Sequence, residues 1–119
     1  AGRHAEAEAH LSTGRRMLAG DKRPRMFGEE ALWLQKHGAS LVALGKRGEA
    51  EPMLRRALTL ESRKWVAGRA HAELGKLADL TRDRTAARQH YQQALTLAEQ
   101  DNDEIGAATA RRWMATPYK

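Results

Sequence analysis

Five histidines are the residues of this chain whose chemistry first suggests a metal site: His4, His10, His37, His71 and His90. A zinc-binding helix typically presents two histidines one turn apart with a glutamate between them, and no such pair occurs here. No acidic cluster accompanies the histidines either. We therefore interpret them as half-buried polar side chains, and we predict no metal and no cofactor.

Residues suited to nucleophilic catalysis are few. The serines are Ser12, Ser40 and Ser62, and none lies in a G-x-S-x-G turn. The chain has no cysteine, which excludes thiol catalysis and disulfides. The carboxylate pairs Glu49/Glu51 and Asp101/Asp103 fall at turns and helix starts, where acidic residues have a structural role. We predict that the chain is not an enzyme.

Basic doublets are the remaining candidates for a binding function. They are Arg55-Arg56, Arg63-Lys64 and Arg111-Arg112, and the net charge of the chain is +6. A basic surface can follow the phosphates of a nucleic acid. Here the doublets fall on helix surfaces interrupted by acidic residues, so we favour solvated surface and consider nucleic acid an unlikely partner. The basic excess is compatible with an acidic protein partner.

The elements that position these residues are helices. Alanine, leucine, glutamate, arginine and glutamine dominate the composition, which predicts an all-α fold. No apolar run is long enough to span a membrane. Apolar spacing, glycines and capping residues predict helices over residues 3–19, 28–45, 49–61, 63–81, 84–100 and 104–115. Short turns between them predict antiparallel neighbours.

An internal repeat organises these helices. The segment Ala57-Leu58-Thr59-Leu60 recurs as Ala94-Leu95-Thr96-Leu97, an offset of 37 residues. The same offset relates other positions, namely Gly38 with Gly75, Arg47 with Arg84 and Ala50 with Ala87. A fixed period of this size indicates stacked helical units.

Leu74-Gly75, followed by Ala87, Tyr91 and Ala94, resembles the tetratricopeptide repeat pattern. The resemblance implies antiparallel helix pairs stacked as a right-handed α-solenoid, within one domain over residues 1–119. It divides the chain into a half-repeat helix (1–20), two repeats (28–61 and 63–100) and a capping helix (104–115). The period is longer than usual and several consensus positions differ. A different right-handed α-solenoid or an irregular helical bundle therefore stays an alternative.

The resemblance also implies how the repeats pack. The small residues allow close helix approach, and we expect Gly38 to face Ala50 and Gly75 to face Ala87. Leu54 and Tyr91 would fill the gap between pairs.

The function implied by the resemblance is recognition of an extended peptide or a partner's helix by the concave surface of the first helices. The residues expected there are Gln35, Ala39, Val42, Arg69, Ala72, Lys76 and Asp79. Small Ala39 and Ala72 would leave room for a ligand, and Arg69 and Lys76 would hold a carboxylate. The Lys/Asn clamp of chaperone-binding members is not reproduced, so we predict no chaperone-tail binding.

Two other roles stay open. One is a basic helical repeat that binds nucleic acid. The other is a structural module that docks onto other domains of its own chain or self-associates, as a monomer or weak homodimer. We expect the chain to be the C-terminal module of a longer protein, and the sequence does not indicate its compartment.

Overall fold

Five α-helices and no strand make up the part of the chain described by a computed structural model, residues 28–119. They are α1 (Glu29–Ala43), α2 (Arg47–Thr59), α3 (Lys64–Leu80), α4 (Arg84–Gln100) and α5 (Glu104–Ala115). The predicted all-α class is confirmed, and each helix boundary lies within two residues of its predicted place. The predicted helix over residues 3–19 lies outside the described residues.

Three turns share one geometry. Each contains a residue in the left-handed region: Gly45 (φ 79°) before α2, Arg82 (φ 63°) before α4 and Asn102 (φ 56°) before α5. In each turn the next residue donates its backbone N–H to a carbonyl five residues earlier. These bonds run from Lys46 to Leu41, from Asp83 to Ala78 and from Asp103 to Ala98, all at 2.8 Å. Bonds of this kind close helix ends and satisfy carbonyl groups that the helix leaves free.

The connection between α2 and α3 differs from these turns. Leu60 and Arg63 both have extended backbones, with ψ of 147° at each residue. The extended connection was predicted around Ser62–Val66, but the following helix already begins at Lys64.

The described residues form two compact units, one before Arg63 and the other Arg63–Lys119. In the first unit α1 packs on α2. A Cβ atom built on Gly38 would lie 2.6 Å from Leu54 Cγ, so the absence of a side chain at Gly38 provides the space for Leu54. Leu54 is fully buried, as are Ala50 and Ala57 nearby on α2.

The second unit contains α3, α4 and α5. Gly75 of α3 faces Tyr91 of α4, and a Cβ at Gly75 would lie 2.7 Å from Tyr91 Cδ1. At the other end of the same pair, Gly68 lies against Leu97. The pairings 75 with 91 and 68 with 97 show that α3 and α4 are antiparallel. Between α4 and α5, a Cβ on Gly106 would lie 3.5 Å from Ala98 Cβ, at ordinary contact distance.

The prediction for the glycines therefore needs one correction. Gly38 and Gly75 have Leu54 and Tyr91 as their nearest neighbours, not Ala50 and Ala87. Leu54 and Tyr91 thus pack within their own helix pairs, against the positions where the glycines lack a Cβ. Within residues 28–119, no helix combines the length and apolar character needed to cross a bilayer.

Candidate functional site

Four of the predicted groove residues lie along one side of α3: Arg69, Ala72, Lys76 and Asp79. Spacings of three and four residues place side chains on the same side of a helix. We call this surface the α3 face. We call residues 116–119 the tail segment. The α3 face is contacted by α5, by the turn before α5 and by the tail segment.

Arg69 is bound at one end of the α3 face by Asp103, the residue before α5. Its Nε and Nη2 donate to the two carboxylate oxygens at 3.0 and 2.9 Å. Its guanidinium carbon also lies 5.3 Å from the Trp65 ring centroid. The hydrogen bond between Arg69 and Asp103 raises the pKa of Arg69 and lowers the pKa of Asp103. The carboxylate expected from a partner is here supplied by the chain itself.

The turn between α4 and α5 stabilises the starts of two helices. Asp103 Oδ1 accepts a hydrogen bond from the Gly106 backbone N–H at 3.1 Å, which caps α5. Asp101 Oδ2 accepts a hydrogen bond at 3.0 Å from the backbone N–H of Trp65, which lies in the first turn of α3. Carboxylates are favoured at these positions because helix N-termini carry unpaired N–H groups and partial positive charge.

Ala72 lies in the middle of the α3 face and is buried. It forms a cluster with Ala94 of α4 and Ala110 of α5, against which Leu95 packs. The small side chains let the three helices approach closely. We expected small Ala72 to leave room for a ligand. Instead, α5 packs against this position.

Asp79 is the polar centre at the other end of the α3 face, with 2% of its side chain exposed. Its Oδ2 accepts from the Tyr91 hydroxyl at 2.8 Å and from Arg84 Nη1 at 3.0 Å. The same oxygen accepts from the backbone N–H of Tyr118 at 3.0 Å. Arg84 Nη2 donates in turn to the Met114 carbonyl at 2.6 Å. Burial and the hydrogen bond to Asp79 raise the pKa of Tyr91, so its hydroxyl stays a donor.

Lys76 lies between these two ends and contacts the tail segment. Its Nζ donates to Glu73 Oε1 at 3.0 Å and lies 5.2 Å from the centroid of the Tyr118 ring. The Tyr118 ring also meets Trp113 edge-on, with centroids 5.0 Å apart. Burial raises the pKa of Glu73. Tyr118 is therefore held by a cation, an indole and, through its N–H, a carboxylate.

The three groove residues predicted in the first unit are less accessible than expected. Gln35 and Val42 are buried, with 6% and 4% of their surface exposed. Ala39 is half-buried. Of the three, only Ala39 has appreciable surface left for contact with a ligand.

A histidine pair joins α3 and α4. His71 Nδ1 and His90 Nδ1 lie 3.1 Å apart, with ring centroids separated by 5.4 Å. Burial, and to a lesser extent His90, lower the pKa of His71 to about 4. In the part of the chain that the structure describes, no group of three or more histidine or acidic side chains could hold a metal ion.

Two of the three basic doublets, Arg55-Arg56 and Arg111-Arg112, lie next to acidic or aromatic side chains. The guanidinium carbon of Arg112 lies 4.7 Å from the centroid of the Trp113 ring. Three other arginines form ion pairs: Arg55 with Glu51 at 2.9 Å, Arg56 with Glu30 at 3.7 Å and Arg111 with Glu99 at 3.9 Å. Exposed pairs like these add little stability, but they lower the local positive potential.

Sequence reasoning missed the role of Tyr118 and did not connect Trp113 with it. One signal was available, because aromatic residues make up only 5% of the chain and one of them follows Pro117 near its end. An aromatic side chain beside a proline in a polar segment is a common recognition element.

The chain was compared with protein-family models, curated proteins and solved structures, and it shows no significant match to any of them. The functional assignment therefore depends on the geometry of the site.

Proposed function

We propose that this chain is a non-catalytic protein–protein interaction module of the tetratricopeptide type, with its helix pairs stacked as a right-handed α-solenoid. Repetition of one packing arrangement supports the proposal. Gly38 receives Leu54, and Gly75 receives Tyr91, at the same separation along the chain. The turns after Leu41 and Ala78 also carry the same backbone hydrogen bond. Stacked pairs of this kind present a continuous surface of first helices to a partner.

A single observation supports the proposed binding function: the α3 face already contacts a non-helical stretch of polypeptide, the tail segment. Thr116 has extended dihedrals (φ −135°, ψ 129°), as expected for a residue before proline. Two residues later, the Tyr118 N–H reaches Asp79 and its ring reaches Lys76. A surface that binds both the backbone and the side chain of a non-helical segment has the chemistry needed to bind a peptide.

Nucleic-acid binding has less support. Arg55, Arg56 and Arg111 each lie within 4 Å of a carboxylate, so much of the local positive charge is neutralised. Phosphate binding would require these pairs to break or to admit a third charge.

Peptide selection tests the proposal. A random peptide library is screened against the immobilised chain and against a variant that ends at Ala115, which uncovers the Lys76 and Asp79 end of the α3 face. Enriched peptides are then synthesised and titrated by fluorescence anisotropy, with labelled oligonucleotides tested in parallel at low salt. We expect saturable binding of peptides and none of oligonucleotides. Binding of oligonucleotides alone, or of no ligand to either protein, would overturn the proposal.

Lys76→Gln with Lys64→Gln as its control locates the binding surface. Both lysines belong to α3, but Lys64 is exposed at its first residue. Loss of a partly desolvated cation–π contact weakens binding about fivefold, whereas removal of an exposed charge changes it less than about twofold. Equal effects of the two substitutions would place the ligand elsewhere.

A further inference from the structure

The tail segment is bound as a ligand would be bound. Tyr118 makes three contacts of different kinds: a backbone hydrogen bond to Asp79, a cation–π contact with Lys76 and an edge-on aromatic contact with Trp113. We call Lys76, Asp79 and Trp113 the tail site. Specific recognition of one residue usually combines an apolar contact with a few convergent polar groups, and the tail site has this composition.

The tail site is largely assembled without Tyr118. Asp79 is oriented by the Tyr91 hydroxyl and by Arg84. Lys76 is oriented by Glu73. Each of these contacts lies within α3 and α4. If Tyr118 leaves, these two groups keep most of their hydrogen bonds, and the cost of ordering them does not recur when another ligand binds.

We propose that the tail site is a recognition site for an extended segment carrying an aromatic residue, and that the tail segment of this chain occupies it in cis. This inference rests on the proposed function and names its partner class: a segment of another protein that carries an aromatic residue, bound in the place of Tyr118. The partner's aromatic ring contacts Lys76 and Trp113, and its backbone N–H donates to Asp79.

The aromatic class follows from the charges of the site. Lys76 is already paired with Glu73, and Arg69 with Asp103, so neither cation needs a carboxylate from a ligand. A π face attracts an ammonium group without competing for its ion pair. Asp79 accepts hydrogen bonds only, which selects a donor such as a backbone N–H. An acidic peptide would instead place negative charge beside Asp79 and Glu73.

Occupation in cis reduces the apparent affinity for any partner. A ligand binds only the fraction of molecules in which the site is open, so its apparent dissociation constant is divided by that fraction. The tail segment is covalently attached, and its effective concentration is about millimolar or higher. A free peptide therefore binds the intact chain more weakly than it binds a chain with an open site.

Three forms of the whole chain test this inference: Tyr118→Ala, which removes the ring, Tyr118→Phe, which keeps it, and truncation after Ala115. The probe is a labelled peptide with the sequence of residues 114–119, and a second peptide has alanine in place of its tyrosine. Circular dichroism confirms that each form is folded. Peptide affinity is measured by anisotropy, and two-dimensional amide NMR locates the perturbed residues.

We expect the probe to bind Tyr118→Ala and the truncated chain at least about tenfold more tightly than it binds the wild type or Tyr118→Phe. The alanine peptide should bind none of them measurably, and amide shifts should map to the tail site. Equal affinity for all forms would overturn the inference while leaving a binding function intact. Exchange of tail segments between two copies, visible as a concentration-dependent dimer of the wild type, would also overturn it.

If the probe binds no form, the aromatic-segment inference fails. In that case the peptide selection described above still decides the proposed function, because it makes no assumption about the ligand.

Discussion

Tyr91 and Gly75 are the pair of residues that determines how closely α3 and α4 approach. The Tyr91 ring occupies the space where a Cβ of residue 75 would lie, and its hydroxyl is bound to Asp79 at 2.8 Å. The ring therefore cannot move aside without losing a buried hydrogen bond. Leu54, the equivalent residue opposite Gly38, has no polar group and is held by apolar packing alone.

This contrast predicts different costs for one added methyl group. Gly75→Ala should destabilise the protein by about 1–3 kcal/mol, because overpacking forces side chains or backbone to shift. Gly38→Ala should cost less. Gly48→Ala is the control, since nothing lies within 4 Å of its Cβ position in α2. It should stabilise the protein by about 0.5–1 kcal/mol through reduced backbone entropy. Urea unfolding measures all three, and a stabilising Gly75→Ala would contradict this account.

His71 predicts a pH dependence. Its pKa is about 4 in the folded chain and near 6.5 when unfolded. Between these values the unfolded chain binds a proton that the folded chain does not, so stability falls as the pH falls from 6.5 to 4. Because His71 is partly exposed, we expect a loss on the order of 1 kcal/mol.

Comparison with His71→Gln isolates this effect. Glu73, whose pKa is raised, acts in the opposite direction over part of the same range, and Asp103 acts only below its ordinary value of 3.8. Both groups remain in the variant. The difference in unfolding free energy between wild type and variant, measured by urea titration at about pH 7 and about pH 5, should shrink toward acid pH. A constant difference would exclude His71 as the source.

At the scale of elements, three turns of the same geometry differ in how they cap the following helix. Asp83 and Asp103 accept hydrogen bonds from Ala86 and Gly106, which starts α4 and α5. Lys46 occupies the same place before α2 and accepts none. Its ammonium group is also unfavourable near the positive end of the helix dipole.

Lys46→Asp should therefore stabilise the protein, by about 1 kcal/mol, because the backbone already has the geometry of the other two turns. Asp83→Ala is the matched control and should cost about the same amount. Thermal and urea unfolding compare the two. No gain from Lys46→Asp, with a normal loss from Asp83→Ala, would mean that the start of α2 cannot provide the capping geometry.

The helices could be predicted from the sequence because their ends depend on neighbouring residues. Capping aspartates, glycines and short turns placed α4 and α5 at their observed residues. Side chains that meet across helices were harder to predict. The His71–His90 pair requires the register of α3 on α4, and the Tyr118–Lys76 contact requires knowing where the chain runs after α5. Local helix propensity gives no information on either contact. The sequence therefore did not predict that the tail segment contacts the α3 face.

At the scale of the whole molecule, the unit Arg63–Lys119 contains its own set of long-range contacts. Arg69 with Asp103 joins one end of α3 to the start of α5, and Arg84 with Met114 joins α4 to the end of α5. The alanine cluster around Ala72 lies between them.

We therefore predict that residues 63–119 fold alone, although a unit of this size has marginal stability. Far-UV circular dichroism should show a helical spectrum with a cooperative thermal transition. The fragment 63–115 should melt at a lower temperature, because it lacks the tail segment. A fragment 63–119 that has a coil spectrum, or melts without cooperativity, would contradict the prediction.

The edge-on contact between Trp113 and Tyr118 has an optical consequence. At a centroid distance of 5.0 Å, the tyrosine transfers its excitation energy efficiently to the indole and also shields it from solvent. If Trp33 and Trp65 are replaced by phenylalanine, Trp113 is the only indole left, and its emission reports on one contact. Departure of Tyr118 from the tail site would then shift that emission to the red. Trp113 would thus be an intrinsic, label-free reporter of whether Tyr118 occupies the tail site.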